Sequence, residues 1–372
     1  MKTLRSILTF VLPFFALIAC APPEPVRIGY LGGLSGRVSD LGIGGLQGAR
    51  LAIELRNKAG GIKGQTIELI EADDQQDPDA ARKAFDALAT RRVAAIVGPM
   101  TSAMATAIVH KANESKLLVM SPTVTTGDLL GIDDYFFRVI PATNEFVDTN
   151  ADYFFRAQGM RRLRLIYDLR NKSYTESWLT DFTKLFADAG GTLLPPLSFF
   201  SSDEADFHIL AKNALAGNPE GIIIIANSVD AAGICHAIRL LNSKIRLGTS
   251  EWAATERLAE IGGKWVEGIT VAQFFDRDSR APAYLNFRAA YQSRFSREPG
   301  FPETFSFDAT NVILDAIESQ TQNPGQSLKE IVLARQQFNG VQRPITFDRN
   351  GDTLGKTFMV RIENGAFAPI RK

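Results

Sequence analysis

The sequence predicts an α/β fold of two doubly wound parallel-sheet lobes, on three observations. Short apolar runs alternate with helix-period segments from Val26 onward, which is the pattern of successive strand–helix units in a parallel sheet. The alternation halts at an aromatic stretch, Asp134–Ile140, before Pro141, and begins again from Glu145. In the second series the run Gly221-Ile-Ile-Ile-Ile-Ala226 is apolar on both faces, as a strand covered by helices on either side must be.

The first residues set the compartment. Lys2 and Arg5 precede an apolar run from Ile7 to Ala19, too short to span a bilayer and right for the core of a signal peptide. The run ends Leu17-Ile18-Ala19-Cys20, which resembles a bacterial lipobox. The resemblance implies cleavage of residues 1–19, acylation of Cys20, and a mature chain held to the cell envelope, outside the cytoplasm, by lipid alone. Residues 20–25, ending Pro22-Pro23-Glu24-Pro25, read as a stiff extended tether.

Removal of residues 1–19 leaves 353 residues, room for two domains of ordinary size. It takes Lys2 and Arg5 away, so 39 basic side chains face 41 acidic ones, a balance that gives no sign of a nucleic-acid partner. Cys235 is the only cysteine besides Cys20, so no intramolecular disulfide is available to the mature chain. It sits in an apolar helix pattern, where a thiol behaves as a small buried hydrophobe.

Taken in order, Val26–Leu31 is a strand, Gly44–Asn57 a helix stopped by Gly60-Gly61, and Gln65–Ala72 the next strand. Asp77 before Pro78 predicts an N-cap with proline at the first helical position, opening a helix over 78–91. Val93–Val97 and Lys116–Met120 are short apolar strands flanking a helix that starts at Thr101 and Ser102. After Pro141, Glu145–Gln158 and Thr175–Ala189 are helices with the strand Leu163–Tyr167 between them. Leu193–Phe200 is a further strand, followed by a helix with Phe207, Leu210, Ala214 and Leu215 on one face. Gly221–Ala226 and Ile245–Ser250 are buried strands separated by the helix Asp230–Leu241. Trp265–Phe275 is a strand-like crossing segment; helices follow at Pro282–Arg297, Thr304–Ser319 and 327–337. Pro344–Asp352 reads as a strand running into a turn, and Lys356–Ile362 with Ala366–Ile370 as a hairpin around Glu363-Asn364-Gly365.

Much chemistry is missing from these residues. The glycines at 42, 44, 45 and 48 do not make a dinucleotide fingerprint, and Asp73–Asp79 lacks the glycine and terminal glutamate of a calcium loop. His110, His208 and His236 fall in helix patterns without ligand partners at metal spacing. There is no nucleophile elbow, phosphate loop or zinc-protease motif. The expectation is therefore binding without turnover, with no catalytic residue, cofactor or metal.

A binding site is more legible. Strands of a parallel sheet present ligands at their carboxyl ends, and a helix start offers free N–H groups to an anion. Ser102, Thr123 and Thr125 lie in the hydroxyl-rich loops that end two adjacent strands of the first series, which makes them candidates for a small ligand; helix capping and turn formation account for such hydroxyls equally. Glu251, at the end of a buried strand of the second series, is a candidate contact for a cationic group, beside the plainer reading of a solvated loop acid.

The run Ile28-Gly-Tyr-Leu-Gly-Gly-Leu-Ser-Gly36 with Gly48-Ala49, then Ala59-Gly-Gly-Ile-Lys-Gly64, Asp73-Asp74 before Asp77-Pro78, and Ile96-Val-Gly98 before Ser102 resembles type I periplasmic solute-binding proteins of the leucine/isoleucine/valine class. Ser121-Pro122, Tyr167-Asp168, Tyr174, Gly268, Phe307-Asp308-Ala309 and Ile345–Asp352 continue the likeness in the same order to the C-terminus. The resemblance implies two lobes joined by three crossings near Ile140–Glu145, Thr270–Phe275 and Gln342–Phe347. Lobe one would comprise 26–142 and 274–343, and lobe two 143–273 and 344–372.

The resemblance also assigns roles. Ser102, Thr123 and Thr125 match positions that hold a ligand carboxylate, Glu251 the acid that takes an α-ammonium, and Tyr174 an aromatic lining residue. Asn227 stands where the family has a second tyrosine, and an aromatic of the late helix region is replaced around Pro302 or Glu303; both departures remove aromatic walls. The implied function is the extracytoplasmic, lipid-anchored binding component of an ABC importer for an amino acid or related small polar metabolite, a monomer whose protein partner is the permease. A sensory module serving a receptor, or an envelope lipoprotein that activates a partner enzyme and binds nothing small, are the alternatives.

Overall fold

A computed structural model describes residues 24–370; the signal segment, Cys20 and most of the tether lie outside the described residues. No described helix is long and apolar enough to cross a membrane.

The first sheet is built from β1 (Val26–Gly32), β2 (Ile67–Asp73), β3 (Ala95–Val97), β4 (Val119–Ser121) and β5 (Phe136–Arg138). All pairings are parallel, in the order β2-β1-β3-β4-β5. The crossovers are α1 (Asp40–Lys58), α2 (Pro78–Thr90) and α3 (Ser102–Ser115). Asp77 caps α2 through the Asp79 and Ala80 amides, 2.9 Å each, with Pro78 at the first turn. α1 begins at Asp40, one turn before the expected Gly44, and its glycines let it lie close to a neighbouring helix. A Cβ at Gly48 would collide with the Glu303 carbonyl oxygen, so this packing needs glycine.

The second sheet carries β6 (Arg162–Asp168), β7 (Thr192–Leu193), β8 (Leu197–Phe199), β9 (Gly221–Ile225), β10 (Arg246–Thr249) and β11 (Thr270–Gln273). Its order is β15-β14-β11-β10-β9-β6-β7, where β14 (Phe358–Glu363) and β15 (Ala366–Pro369) are the C-terminal hairpin. β11 pairs antiparallel with β14 and β14 with β15, so this sheet is mixed rather than wholly parallel. The expected single strand Leu193–Phe200 is two, both paired with β6, because Pro195 and Pro196 between them have no N–H to give the ladder. β9 is buried at all five residues, as its composition demands. Its helices are α4 (Thr143–Asp152, continued by a π turn over Tyr153–Ala157), α5 (Lys172–Asp188), α6 (Phe207–Leu215), α7 (Ser228–Leu241) and α8 (Glu256–Gly262). Cys235 is fully buried on α7, and burial pushes its thiol up to about 12.

After β11 the chain returns to the first lobe as α9 (Pro282–Phe295), α10 (Phe301–Gln320) and α11 (Leu328–Arg335), with α10 laid along α1. β12 (Gln337–Asn339) and β13 (Pro344–Thr346) then form an antiparallel ribbon. Here the structure departs from the expected boundary at residue 344. The turn after β13 rests on the first lobe: Phe347 packs on Phe137 at 5.8 Å between ring centroids, Asp352 pairs with Arg138 at 2.7 Å, and Thr353 donates to the Arg138 carbonyl at 2.6 Å. Thr357 bonds the Glu145 carbonyl of α4, so the third crossing falls after Thr353 instead of at Gln342–Phe347. The buried Arg138 accounts for this, because a fully enclosed guanidinium must be met by an acid, and Asp352 is that acid.

Candidate functional site

The first wall is a pair of loops at the carboxyl ends of β3 and β4. Gly98 has φ of +112°, and a Cβ there would collide with the Leu31 carbonyl oxygen, so only glycine turns the chain into the loop before α3. Ser121 ties the loops together: its hydroxyl donates to the Pro99 carbonyl at 2.8 Å and accepts the Val124 amide at 3.1 Å. Thr123 donates to the Met100 carbonyl at 2.6 Å, which commits its proton to the protein. The Ser102 hydroxyl accepts the Thr126 amide at 3.4 Å and keeps its own proton free.

The second wall comes from the other sheet. Glu251 follows β10 in a short helical turn and is 6 % exposed. Thr125 reaches it across the gap, Oγ1 to Oε1 at 3.3 Å, while Glu251 Oε2 has no hydrogen-bond partner. Tyr174 and Trp178, from α5, lie beside this carboxylate and help to hold its charge, without reaching hydrogen-bond geometry. Burial outweighs them and pushes the Glu251 carboxyl up to about 7. Among the described residues no lysine, arginine or histidine pairs with it. Tyr174 meets Trp252 edge to face at 5.7 Å, and Trp178 stacks on Phe182 at 5.0 Å.

These walls enclose a narrow cavity between the lobes, lined by Ser102, Thr123, Thr125, Tyr174 and Glu251. Its free space is about 30 Å³, room for two or three water molecules, so the lobes stand nearly closed. Phe146, Phe274, Phe275, Phe301 and Phe305 are among its other lining residues. Phe301 and Phe305 bracket Pro302 and Glu303, so the aromatic wall expected to be missing there is supplied by their neighbours on α10. The aromatic pair Phe274-Phe275, which the sequence places at the end of a crossing segment, lines this cavity.

Asn227 is a correction. It does not line the cavity: it caps α7, accepting the Asp230 amide at 2.9 Å, and its Nδ2 donates to Asp230 Oδ2 at 2.6 Å. Asp230, wholly buried, receives Arg37 from the first lobe at 2.5 Å. On the same side Asp40 of α1 accepts the hydroxyls of Ser228 and Thr255, 2.7 Å each. Asn227 thus orients an ionic contact that joins the lobes. Asn171, which lines the cavity, carried no signal in the sequence beyond its place before Tyr174.

No group of three or more metal-ligating side chains suited to an ion occurs among the described residues. The arrangement is a cleft with hydroxyl and helix-start donors on one side, a buried unpaired acid on the other, and an apolar, aromatic floor. Such a cleft can hold a molecule that carries an anion, a cation and an apolar body.

The comparisons with known proteins agree with this architecture. A model of the family described as periplasmic binding protein matches residues 25–366. The Leu/Ile/Val-binding protein of Escherichia coli K12 is 22 % identical over 338 residues, covering 91 % of this chain and 90 % of that protein. The leucine-binding protein LivK of Thermotoga maritima superposes with a TM-score of 0.85 at 25 % identity, over 93 % of this chain and 98 % of its own. A solute-binding protein of an ABC transporter from R. palustris, solved with benzoate, shares the fold at 16 % identity, with a TM-score of 0.83 over 93 % of this chain and 95 % of its own.

Proposed function

The chain belongs to the periplasmic binding protein family, and on that premise we propose that it binds an amino acid with an apolar side chain between its two lobes, as the extracytoplasmic, lipid-tethered component of an ABC importer. Its relatives are binding proteins rather than enzymes. The observation that carries the reading is Glu251: a nearly fully buried carboxylate with one oxygen unpartnered and, among the described residues, no protein cation beside it. An acid left so is costly unless a cation joins it, and a ligand ammonium supplies that cation.

The opposite wall suits the other charge. Ser102 has a free proton, and the start of α3 adds backbone N–H groups and the positive end of its dipole, so a carboxylate there accepts charge-assisted hydrogen bonds. The aromatic floor favours an apolar side chain, and a ligand lacking either charge leaves the facing group desolvated and unpaired. The cavity is too small for such a ligand without movement, which supports hinge opening and closing about the three crossings. Cys20 as the lipid attachment and the permease as partner complete the proposal.

A thermal-unfolding screen against the common amino acids tests it. A true ligand at 100 times its dissociation constant adds about 2.7 kcal/mol to stability. A response confined to apolar amino acids supports the reading, and stability unmoved by every amino acid overturns it.

A further inference from the structure

Asn171 sits at the N-cap of α5, where an asparagine side chain ordinarily bonds its own helix. It does not: no side-chain cap bond forms there. Its carbonyl oxygen accepts the Tyr174 and Thr175 amides, 3.0 Å each, which fixes its backbone. The side chain instead crosses the cleft, and Oδ1 accepts the Ala103 amide of the other lobe at 2.9 Å. The residue is 5 % exposed and lines the cavity.

Ala103 is the second residue of α3, and its amide points to the spot that an anion on this helix start would use. Thr101, the N-cap, makes no side-chain cap bond, and the Met104 and Ala105 amides bond the Thr101 carbonyl. The Ala103 amide is therefore a helix-start donor satisfied from the opposite lobe. A carboxamide is suited to that place because it holds the N–H through oxygen when the cleft is closed on itself, and can donate through Nδ2 to an oxygen anion that arrives.

Resting on the amino-acid reading above, we propose that Asn171 is a specificity-determining residue for the anionic end of the ligand. It yields the Ala103 amide to the ligand carboxylate and turns Nδ2 to the same group. An acid at this position would itself occupy the helix start and repel a carboxylate, while tolerating a neutral amide.

Calorimetric titration of the purified protein with leucine, isoleucine, valine and phenylalanine, and with the amide of each, tests this in wild type, Asn171→Asp and Asn171→Ala. The expected result is that Asn171→Asp weakens the amino acids at least 100-fold more than the amides, and that Asn171→Ala weakens the amino acids about 10- to 100-fold and the amides less than tenfold. Thermal unfolding by circular dichroism identifies a variant that fails to fold, in which case Asn171→Ser against Asn171→Glu repeats the comparison. Asn171→Asp binding amino acids within threefold of wild type, or losing amino acids and amides alike, overturns this inference and leaves the amino-acid reading standing. Wild type that binds none of the amino acids overturns that reading and this inference with it.

Discussion

Thr125 and Glu251 face each other from opposite lobes, hydroxyl to carboxylate at 3.3 Å, and among the described residues this contact is the one hydrogen bond that the Glu251 side chain receives. The carboxylate is enclosed with one neutral donor where two or three charged or polar ones would be needed to hold it ionised. Its proton is consequently the quantity most sensitive to what enters the cleft.

That sensitivity makes ligand binding depend on pH. The Glu251 carboxyl stands at about 7 in the folded protein, above the ordinary 4.5, so the folded state holds a proton that the unfolded chain releases. Its contribution to stability is present below pH 4.5 and is lost as pH rises through 7. Asp168, pushed up to about 6 by burial, and Asp308, to about 8, act in the same direction. The Glu251 share is therefore the difference between the stability–pH curves of wild type and Glu251→Gln. A ligand ammonium favours the ionised acid, so binding at pH 6 releases a proton, and affinity rises toward pH 7 and then levels. Calorimetry in buffers of different ionisation enthalpy measures the proton, and Glu251→Gln abolishes its release.

Ser102 and Thr123 separate by the state of their protons. Ser102 has a hydroxyl proton to give, whereas that of Thr123 is held by the Met100 carbonyl. Ser102→Ala is expected to weaken the ligand by about 10- to 100-fold, the loss of roughly 1.5–3 kcal/mol for a hydrogen bond to a charged group. Thr123→Val acts mainly on stability, by about 1–3 kcal/mol for the buried carbonyl it leaves unpaired. Titration calorimetry and urea unfolding of the two variants distinguish these outcomes.

Arg37 and Asp230 form an ionic contact between the lobes. Arg37 is partly exposed and Asp230 fully buried, so opening takes from the acid its charged partner and leaves it the Asn227 amide. Arg37→Ala is expected to weaken every ligand by a similar factor, about tenfold for a loss near 1.4 kcal/mol, without changing their rank order. Binding measured across a ligand series shows whether the effect is uniform.

The pair Arg138–Asp352 belongs to stability. Arg138 is fully buried, and it also donates to the Thr126 carbonyl at 2.9 Å beside the hydroxyl loop. Asp352→Ala leaves a guanidinium enclosed without its acid, and the expected cost is about 3–5 kcal/mol in a denaturant titration.

The strand–helix alternation of the first lobe and the presence of a second were legible because buried parallel strands leave short apolar runs that few other elements produce. Ser102, Thr125 and Glu251 were legible for a related reason: each stands where a strand ends. Asn227 and Asn171 show what is lost. Both are helix N-caps in the second lobe, and the sequence cannot say that one folds back on its own helix while the other reaches across the cleft. Pro344–Asp352 reads as strand and turn wherever it packs, and what assigns it to the first lobe is the distant, buried Arg138. The aromatic floor escaped for the same cause, since its phenylalanines come from segments far apart in the chain.

In the proposed complex Glu251 pairs with the ammonium of an amino acid. Titration calorimetry of wild type and Glu251→Gln with the best amino acid and with the same molecule lacking its amino group measures that pairing directly. Glu251→Gln is expected to weaken the amino acid by about 30-fold or more, the roughly 2–5 kcal/mol of a buried charge pair losing one partner, and to leave the deaminated acid no weaker than in wild type. Equal losses for both molecules, or none for either, would contradict it.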